Sequence, residues 1–469
     1  MPKREPNTQL AALLTEIGWS AGDLARRVNA AGAAHGVRLR YDRTAVAHWL
    51  GGTRPRHPVP ALVASVLSHG SGRSISPEEI GLTPVPAPGP LVRRRRPEAV
   101  DAAQCLRDLC RADLDPTRHA ALARSVYSPT AVDGRASASR APTNPPRLVG
   151  RVDAGRAASR TARELTQTFA DLSARHGGRR IRAWLALYLA RDAGHLPAAS
   201  DSPRLHAQLL VDVAQLTHLL AETTADSGHP GLARAYFEIA LDLADEADDD
   251  RMHAITLRAM SVQAMRLGHH EHAFRLADAA VERAGTAPDA AVLAFLLTQR
   301  AHSGAIIGRR HRARADLRAA EHHHDRSTAL PGPFTSYTPA ARHFRSGQAL
   351  RALGEIPNAI ACLEAARSRG PLNRRATALT EATLAETLAD IGHLEAACAH
   401  WNVFLDLRPH LDSAEIERAR ARMHEALHRF PHQRDCTRLR QREQALESPT
   451  ASRSAPPRAD AAPGHSATT

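Results

Sequence analysis

The sequence predicts an all-α chain: a compact helical head followed by a solenoid of stacked helical hairpins. Three observations carry that prediction. A fivefold echo with a period of about 40 residues fills much of the second half. Apolar residues recur at helical spacing through most of the remainder. Aromatics make up only 4% of the chain, so its helices must pack mainly through small and aliphatic side chains.

Each echo starts from a glycine, with an alanine five residues on and a filler residue at nine. A further small or apolar residue follows at twelve. The five runs are Gly228, Ala233, Phe237, Ala240; Gly268, Ala273, Ala277, Ala280; Gly308, Ala313, Leu317, Ala320; Gly354, Ala359, Leu363, Ala366; and Gly392, Ala397, Trp401, Phe404. Seven residues before each glycine stands a small side chain: Ala221, Ser261, Ala301, Gly347 or Ala385. Glycine suits the left-handed residue of a tight turn between two helices. Small residues let those helices approach, and the larger one fills the space between them. Pro371 and Pro409, each seventeen residues after its glycine, are expected to stop the second helix of their hairpins. Over roughly residues 205–410 the pattern resembles the tetratricopeptide repeat. Its period is longer than the usual value of about 34, which implies longer inter-repeat loops.

The head spans residues 1–82. Leu10, Leu13, Leu14 and Ile17 mark a helix that stops at Gly18. Ser20 and Asp23 open a second helix as a capping-box pair, and it turns Leu24, Ala25 and Val28 inward. A third helix is expected from about Asp42 to Leu50, ended by Gly51-Gly52. A fourth runs from about Pro60 to Ser68, and a short fifth from Pro77 to Leu82.

This head resembles the helix-turn-helix of phage-repressor-like (XRE) regulators. The resemblance makes Val46 and Trp49 the anchors of a recognition helix. It places Arg43, Thr44 and His48 where that family reads base edges in the major groove. Arg40, Arg54 and Arg56 flank the helix and suit phosphates better. One departure is plain: about twelve residues, Ala30 to Tyr41, separate the second and third helices where the family uses a short turn.

Residues 83–97 read as a linker, rich in proline and ending in the run Arg93 to Arg96. Residues 98–200 form a helical connector. It holds a helical pair up to about residue 126, a Ser/Ala/Pro-rich stretch near 128–148 expected to be disordered, and helices on either side of Gly177-Gly178. The array with its charged C-terminal cap occupies 201–446, and 447–469 reads as a disordered tail.

The formal net charge is +13, and Lys3 is the sole lysine. Residues 1–96 hold 14 Lys and Arg against 6 Asp and Glu, a basic footprint that favours a polyanionic partner for the head. Five cysteines without a Cys-x-x-Cys pair point away from a disulfide framework or zinc site and towards a reducing cytoplasm. No apolar run is long enough for a membrane span, so no membrane partner is expected.

Chemistry-bearing motifs are sparse. His424-Glu425-Ala426-Leu427-His428 matches the spacing of zinc peptidases, for which Glu443 or Glu447 would have to supply a third ligand. In a chain with 27 histidines such a match arises by chance on the order of one time in ten, and no cleft is predicted around it. His269, His270 and His272, and His322 to His324, read as turn and helix-end residues. No phosphate loop, nucleophile elbow or paired-carboxylate signature is present. The expectation is therefore no enzyme, no cofactor and no metal.

The order of head, linker and repeats resembles actinomycete transcriptional regulators, the family that includes the negative regulator of differentiation and antibiotic production. The stretch Arg40 to Leu50 carries that resemblance, with Val126-Tyr127-Ser128, Gly177-Gly178 and Leu187-Tyr188-Leu189. It implies a homodimer on double-stranded DNA, controlling development or secondary metabolism. A peptide, protein or small-molecule effector would occupy the repeat groove. The alternative from composition alone is a protein–protein adaptor without specific DNA binding, for which the basic excess of the head serves no purpose.

Overall fold

The computed structural model describes residues 6–34, 39–56, 59–71, 75, 80–82, 101–129, 151–192, 202–285, 289–326, 334, 337–368 and 373–447. The expected linker at 83–97, the stretch at 130–148, Pro371, the residues from 448 onward and most of the expected fifth helix lie outside these residues. Among the described residues all regular structure is helical.

Four helices build the head: α1 (Thr8–Ile17), α2 (Ala21–Ala34), α3 (Arg43–Leu50) and α4 (Val59–Ser71). They share a core of Leu10, Leu14, Leu24, Val28, Val46, Trp49, Val63 and Leu67, joined by Ile75 and Ile80. Gly18 ends α1 in the left-handed region, at φ 72°. Ser20 and Asp23 cap α2 reciprocally: the Ser20 N–H donates to Asp23 Oδ2 at 3.0 Å and the Asp23 N–H to Ser20 Oγ at 3.2 Å. Asp42 is the cap of α3 rather than its first residue, accepting from the Ala45 N–H at 2.8 Å.

Four helices lead into the array: α5 (Ala102–Leu114), α6 (Pro116–Ala123), α7 (Arg151–His176) and α8 (Arg179–Asp192). Five hairpins follow: α9 (Pro203–Asp226) with α10 (Pro230–Glu246), α11 (Asp250–Arg266) with α12 (His270–Arg283), and α13 (Ala290–Ile306) with α14 (Arg310–Asp325). The last two are α15 (Pro339–Ala352) with α16 (Ile356–Ser368), and α17 (Arg374–Asp390) with α18 (Leu394–Leu407). A single 3-10 turn at Arg408–His410, containing Pro409, leads to α19 (Ala414–His428) and α20 (Arg434–Glu447).

The echo glycines do what their spacing predicts. Gly228, Gly268, Gly308, Gly354 and Gly392 all have φ between 77° and 89°. The next residue's N–H reaches back five positions, as from His269 to Ala264 O at 2.9 Å and from Arg309 to Gly304 O at 2.8 Å. That bond satisfies a carbonyl the helix end would otherwise leave unpaired. Small and large positions meet as expected. A methyl group on Gly347 would lie 2.8 Å from Leu363 Cγ, and Ser261 Oγ donates to Ala273 O at 2.7 Å. Phe237, Leu363 and Trp401 are buried fillers; Leu317 is only half-buried.

One hydrophobic core runs from Ala103 and Leu106 of α5 to Leu296 of α13, so the lead-in helices and the first repeats pack as one unit. At its heart Asp113, only 4% exposed, takes both the Arg182 guanidinium and the Tyr236 hydroxyl, the latter at 2.7 Å.

The array does not end as an open stack. The charged segment expected to be a solubilising cap folds back onto the start of the array. Asp412 N–H donates to His176 O at 2.9 Å, and Arg179 Nη1 donates to Asp412 Oδ1, 233 residues away, at 2.9 Å. Ser413 Oγ donates to Asp226 Oδ1 at 2.6 Å, while the Gly178 N–H donates to Asp226 Oδ2 at 2.9 Å. Arg375, opening α17, reaches the same carboxylate at 3.1 Å. Helix α7 thereby packs on both α9 and α17, and the repeats close into a ring. Gly177-Gly178 is accordingly the seam of that ring as well as a helix end. A methyl group on Gly177, which has φ 88°, would fall 2.2 Å from Asp412 O. Replacing Gly177 with alanine combines left-handed strain with this backbone clash and is expected to destabilise the ring by about 2–4 kcal/mol. Urea unfolding of the full chain, compared with Gly228→Ala where no atom lies near the added methyl, checks the difference.

Candidate functional site

Two places gather the residues that sequence reasoning singled out. The first is the outer face of α3. Val46 (0% exposed) and Trp49 (3%) anchor this helix in the head core. Tyr41 meets Trp49 edge to face, with ring centroids 5.0 Å apart. The opposite face presents Arg43, Thr44, Ala47 and His48 to solvent. Arg40 before the helix and Arg54 and Arg56 after it are also exposed. The structure thus brings the predicted base-reading and flanking residues to one short, capped helix and its two ends.

The long turn before α3 is fastened by a residue that sequence reading passed over. Asn29 donates from Nδ2 to Tyr41 O at 2.8 Å and accepts the Tyr41 N–H on Oδ1 at 2.9 Å. This amide-to-peptide pair fixes the end of the turn against α2. An asparagine inside a helix is disfavoured unless its side chain has a backbone partner, and that was the available signal.

The second place is the interior of the ring, lined by inward faces of α9, α11, α13, α15 and α17. Here His218 Nδ1 lies 3.1 Å from Thr256 Oγ1, and its Nε2 lies 3.7 Å from Glu222. Phe334 packs edge-on against His218 at 5.2 Å, and its carbonyl accepts from Arg251. Beneath it lies a cavity of about 150 Å³ between α9 and α11, bordered by Gln208, Gln215, Asp249 and Met252. Towards the seam, Arg266 and Arg418 both reach Glu415 at 2.9 Å.

The zinc-peptidase-like residues adopt another arrangement. His424 Nε2 lies 2.6 Å from the buried carboxylate of Glu443, which Arg420 also engages at 2.8 Å, while Glu425 and His428 face solvent. His269 stacks on Tyr127 at 5.3 Å, and burial pushes His272 down to about 4. Among the described residues no group of three His, Cys, Asp or Glu side chains is placed to hold a metal ion. No helix among them is long and apolar enough to cross a membrane.

Three carboxylates of the seam and interior, Asp226, Glu415 and Glu222, are held below their usual range. Burial alone raises Asp226, but Arg375, Ser413 and the Gly178 N–H outweigh it and hold it below the usual range. Burial likewise raises Glu415, and Arg266 and Arg418 more than offset that. Glu222, half-exposed but enclosed by the surrounding helices, is brought to about 2: that enclosure raises it, and His218, Arg258 and Arg375 outweigh the effect. Groups more acidic folded than unfolded stabilise the fold fully above the unfolded range near pH 4; that stabilisation is lost as pH falls through the folded values. The melting temperature is therefore expected to drop between about pH 4 and pH 2. Asp226→Asn should lower the melting temperature at pH 7 and flatten this acid dependence.

A family model described as the SP15 N-terminal domain matches residues 10–83. That span starts within α1 and ends just past Leu82, so the match covers the head and none of the ring. Among curated proteins no relative matches the chain.

Proposed function

We propose that the protein is a sequence-specific DNA-binding transcriptional regulator whose ring of repeats binds an effector. The observation that carries this reading is the split character of α3. One face is locked into the core by Val46 and Trp49; the other offers Arg43, Thr44 and His48 to solvent with no competing partner of their own. Such a helix fits a major groove, where arginine pairs with guanine and threonine meets a base or a thymine methyl. Exposed Arg40, Arg54 and Arg56 supply phosphate contacts on either side, and the basic excess of the head provides long-range attraction.

The resemblance to XRE-type heads and to the actinomycete regulators fits the same reading. It extends it to a cytoplasmic homodimer on a two-part operator and to control of development or secondary metabolism. In this reading the ring is the element that moves between two states, as regulation requires. Its seam joins distant parts of the chain through a few polar contacts, so an effector that favours the open or closed form shifts the balance between them.

A mobility-shift assay at fixed salt, with operator fragments selected from random DNA, tests the head. Arg43→Ala with Thr44→Ala is expected to lose about 1–3 kcal/mol of specific binding per base contact removed, with non-specific binding retained. Arg54→Ala with Arg56→Ala should weaken all sequences alike and reduce the salt slope by about 2. Equal specificity in the Arg43/Thr44 variant would remove α3 from the reading role.

A further inference from the structure

Buried and half-buried arginines in the array generally come with a carboxylate. Arg182 has Asp113, Arg300 has Asp316 at 2.8 Å and Asp278 at 2.9 Å, Arg351 has Glu386 at 3.1 Å, and Arg375 has Asp226 at 3.1 Å. Removing a guanidinium from water costs several kcal/mol unless an opposite charge compensates it, so this pairing is what physics requires.

Arg258, which is buried, and Arg345, which is half-buried, break the pattern. Arg258, on α11, is only 5% exposed. Its guanidinium carbon lies 3.4 Å from the centroid of the Phe295 ring, and Nε donates to Phe295 O at 3.1 Å. Among the described residues no carboxylate lies within ion-pair distance of it, and its two Nη atoms have no acceptor. Arg345, on α15, donates from Nη1 to Gln348 Oε1 at 3.0 Å and likewise has no carboxylate partner among the described residues. Burial first, and Arg345 second, push Arg258 down to about 9; burial, then Arg266, push Arg345 down to about 10. Both remain cations at neutral pH. Arg345 and Glu222 act on Arg258, and Arg266 and Glu415 on Arg345, but among the described residues no carboxylate lies within ion-pair distance of either guanidinium.

We propose that the ring interior is a binding site for a small oxyanion, a carboxylate or phosphate dianion, gripped between Arg258 and Arg345 with Arg266 and Arg375 at its margin. The proposal deepens the effector reading and rests on it only in placing the ligand inside the ring; it does not depend on the head binding DNA. A planar guanidinium matches the paired oxygens of such an anion. Phe295 already fixes the orientation of Arg258, so little side-chain freedom remains to be lost on binding. His302 lies within the field of Arg345; burial first, then Arg345, pushes it down to about 3, so it is neutral, and its buried Nδ1 has no partner. It offers the anion a polar atom without adding charge.

Glu222 is the natural competitor. Its side chain is 51% exposed, yet it sits within the field of Arg258 and Arg375 and forms no close pair with either. An incoming anion must displace or tolerate that carboxylate. The site thus makes two opposite predictions, which a purely structural role for these residues does not.

The test is titration calorimetry on the full chain without DNA, at constant ionic strength, with inorganic phosphate and malonate as separate probes. One site per chain is expected for at least one probe. Arg345→Gln should weaken it about tenfold or more, the loss of a charge-assisted hydrogen bond. Glu222→Gln should tighten it, and Arg438→Gln, on the exposed surface, should leave it unchanged. Binding of phosphate alone assigns a phosphate ligand, and binding of malonate alone a carboxylate. Absence of binding by both probes overturns the proposal, as does an affinity that neither Arg345→Gln nor Glu222→Gln alters. Should Arg258→Gln fail to fold, those two variants still decide the matter. Loss of DNA binding with retained anion binding would sink the regulator reading and leave this site standing.

Discussion

A single buried carboxylate, Asp226, holds the array in its closed form. It lies at the end of α9 and receives Ser413 Oγ, the Gly178 N–H and Arg375 from three separate parts of the chain. A buried carboxylate is tolerated only when it is hydrogen-bonded and charge-compensated, and these three donors, one of them a guanidinium, do both. Remove the carboxylate and the donors are orphaned together; remove the donors and the charge is stranded. That mutual dependence makes the seam specific, because other docking positions for the 411–415 segment leave some of these groups unsatisfied.

Closure changes what the repeats present. A stack of hairpins normally offers a continuous concave groove suited to an extended peptide or helix. Here charged side chains of α9, α11 and α15 act on one another through the interior, and Phe334 lies against His218. The hairpin packing that builds the walls is apolar and local, whereas the interior is governed by charges brought together over long sequence distances.

The head is organised by different forces. Its helices bury a conventional aliphatic core, and polar side chains set the geometry at its edges. Asp42 caps α3, Asn29 ties down the chain before it, and Asn7 donates to Ile80 O at 2.8 Å, closing the first helix against the end of the unit. Position and orientation of α3 thus follow from a few hydrogen bonds that cost little exposure, leaving its other face uncommitted.

Local rules wrote much of this into the sequence. A left-handed residue requires glycine, so the five turns were legible from Gly228 to Gly392. Close helices require small side chains, so the partners of Leu363 and Trp401 were legible too. The period of apolar residues located α1 and α2, and the cap chemistry of Ser20 set the start of α2. Ring closure was not legible, because Gly177-Gly178 ends a helix in any context and nothing local says that Asp412 will cover it. Nor was the charge balance of the interior: Arg258 and Arg345 look like any other arginines in a chain rich in them. Whether a charge is paired depends on which residues meet in space, and only the curvature accumulated over five hairpins decides that.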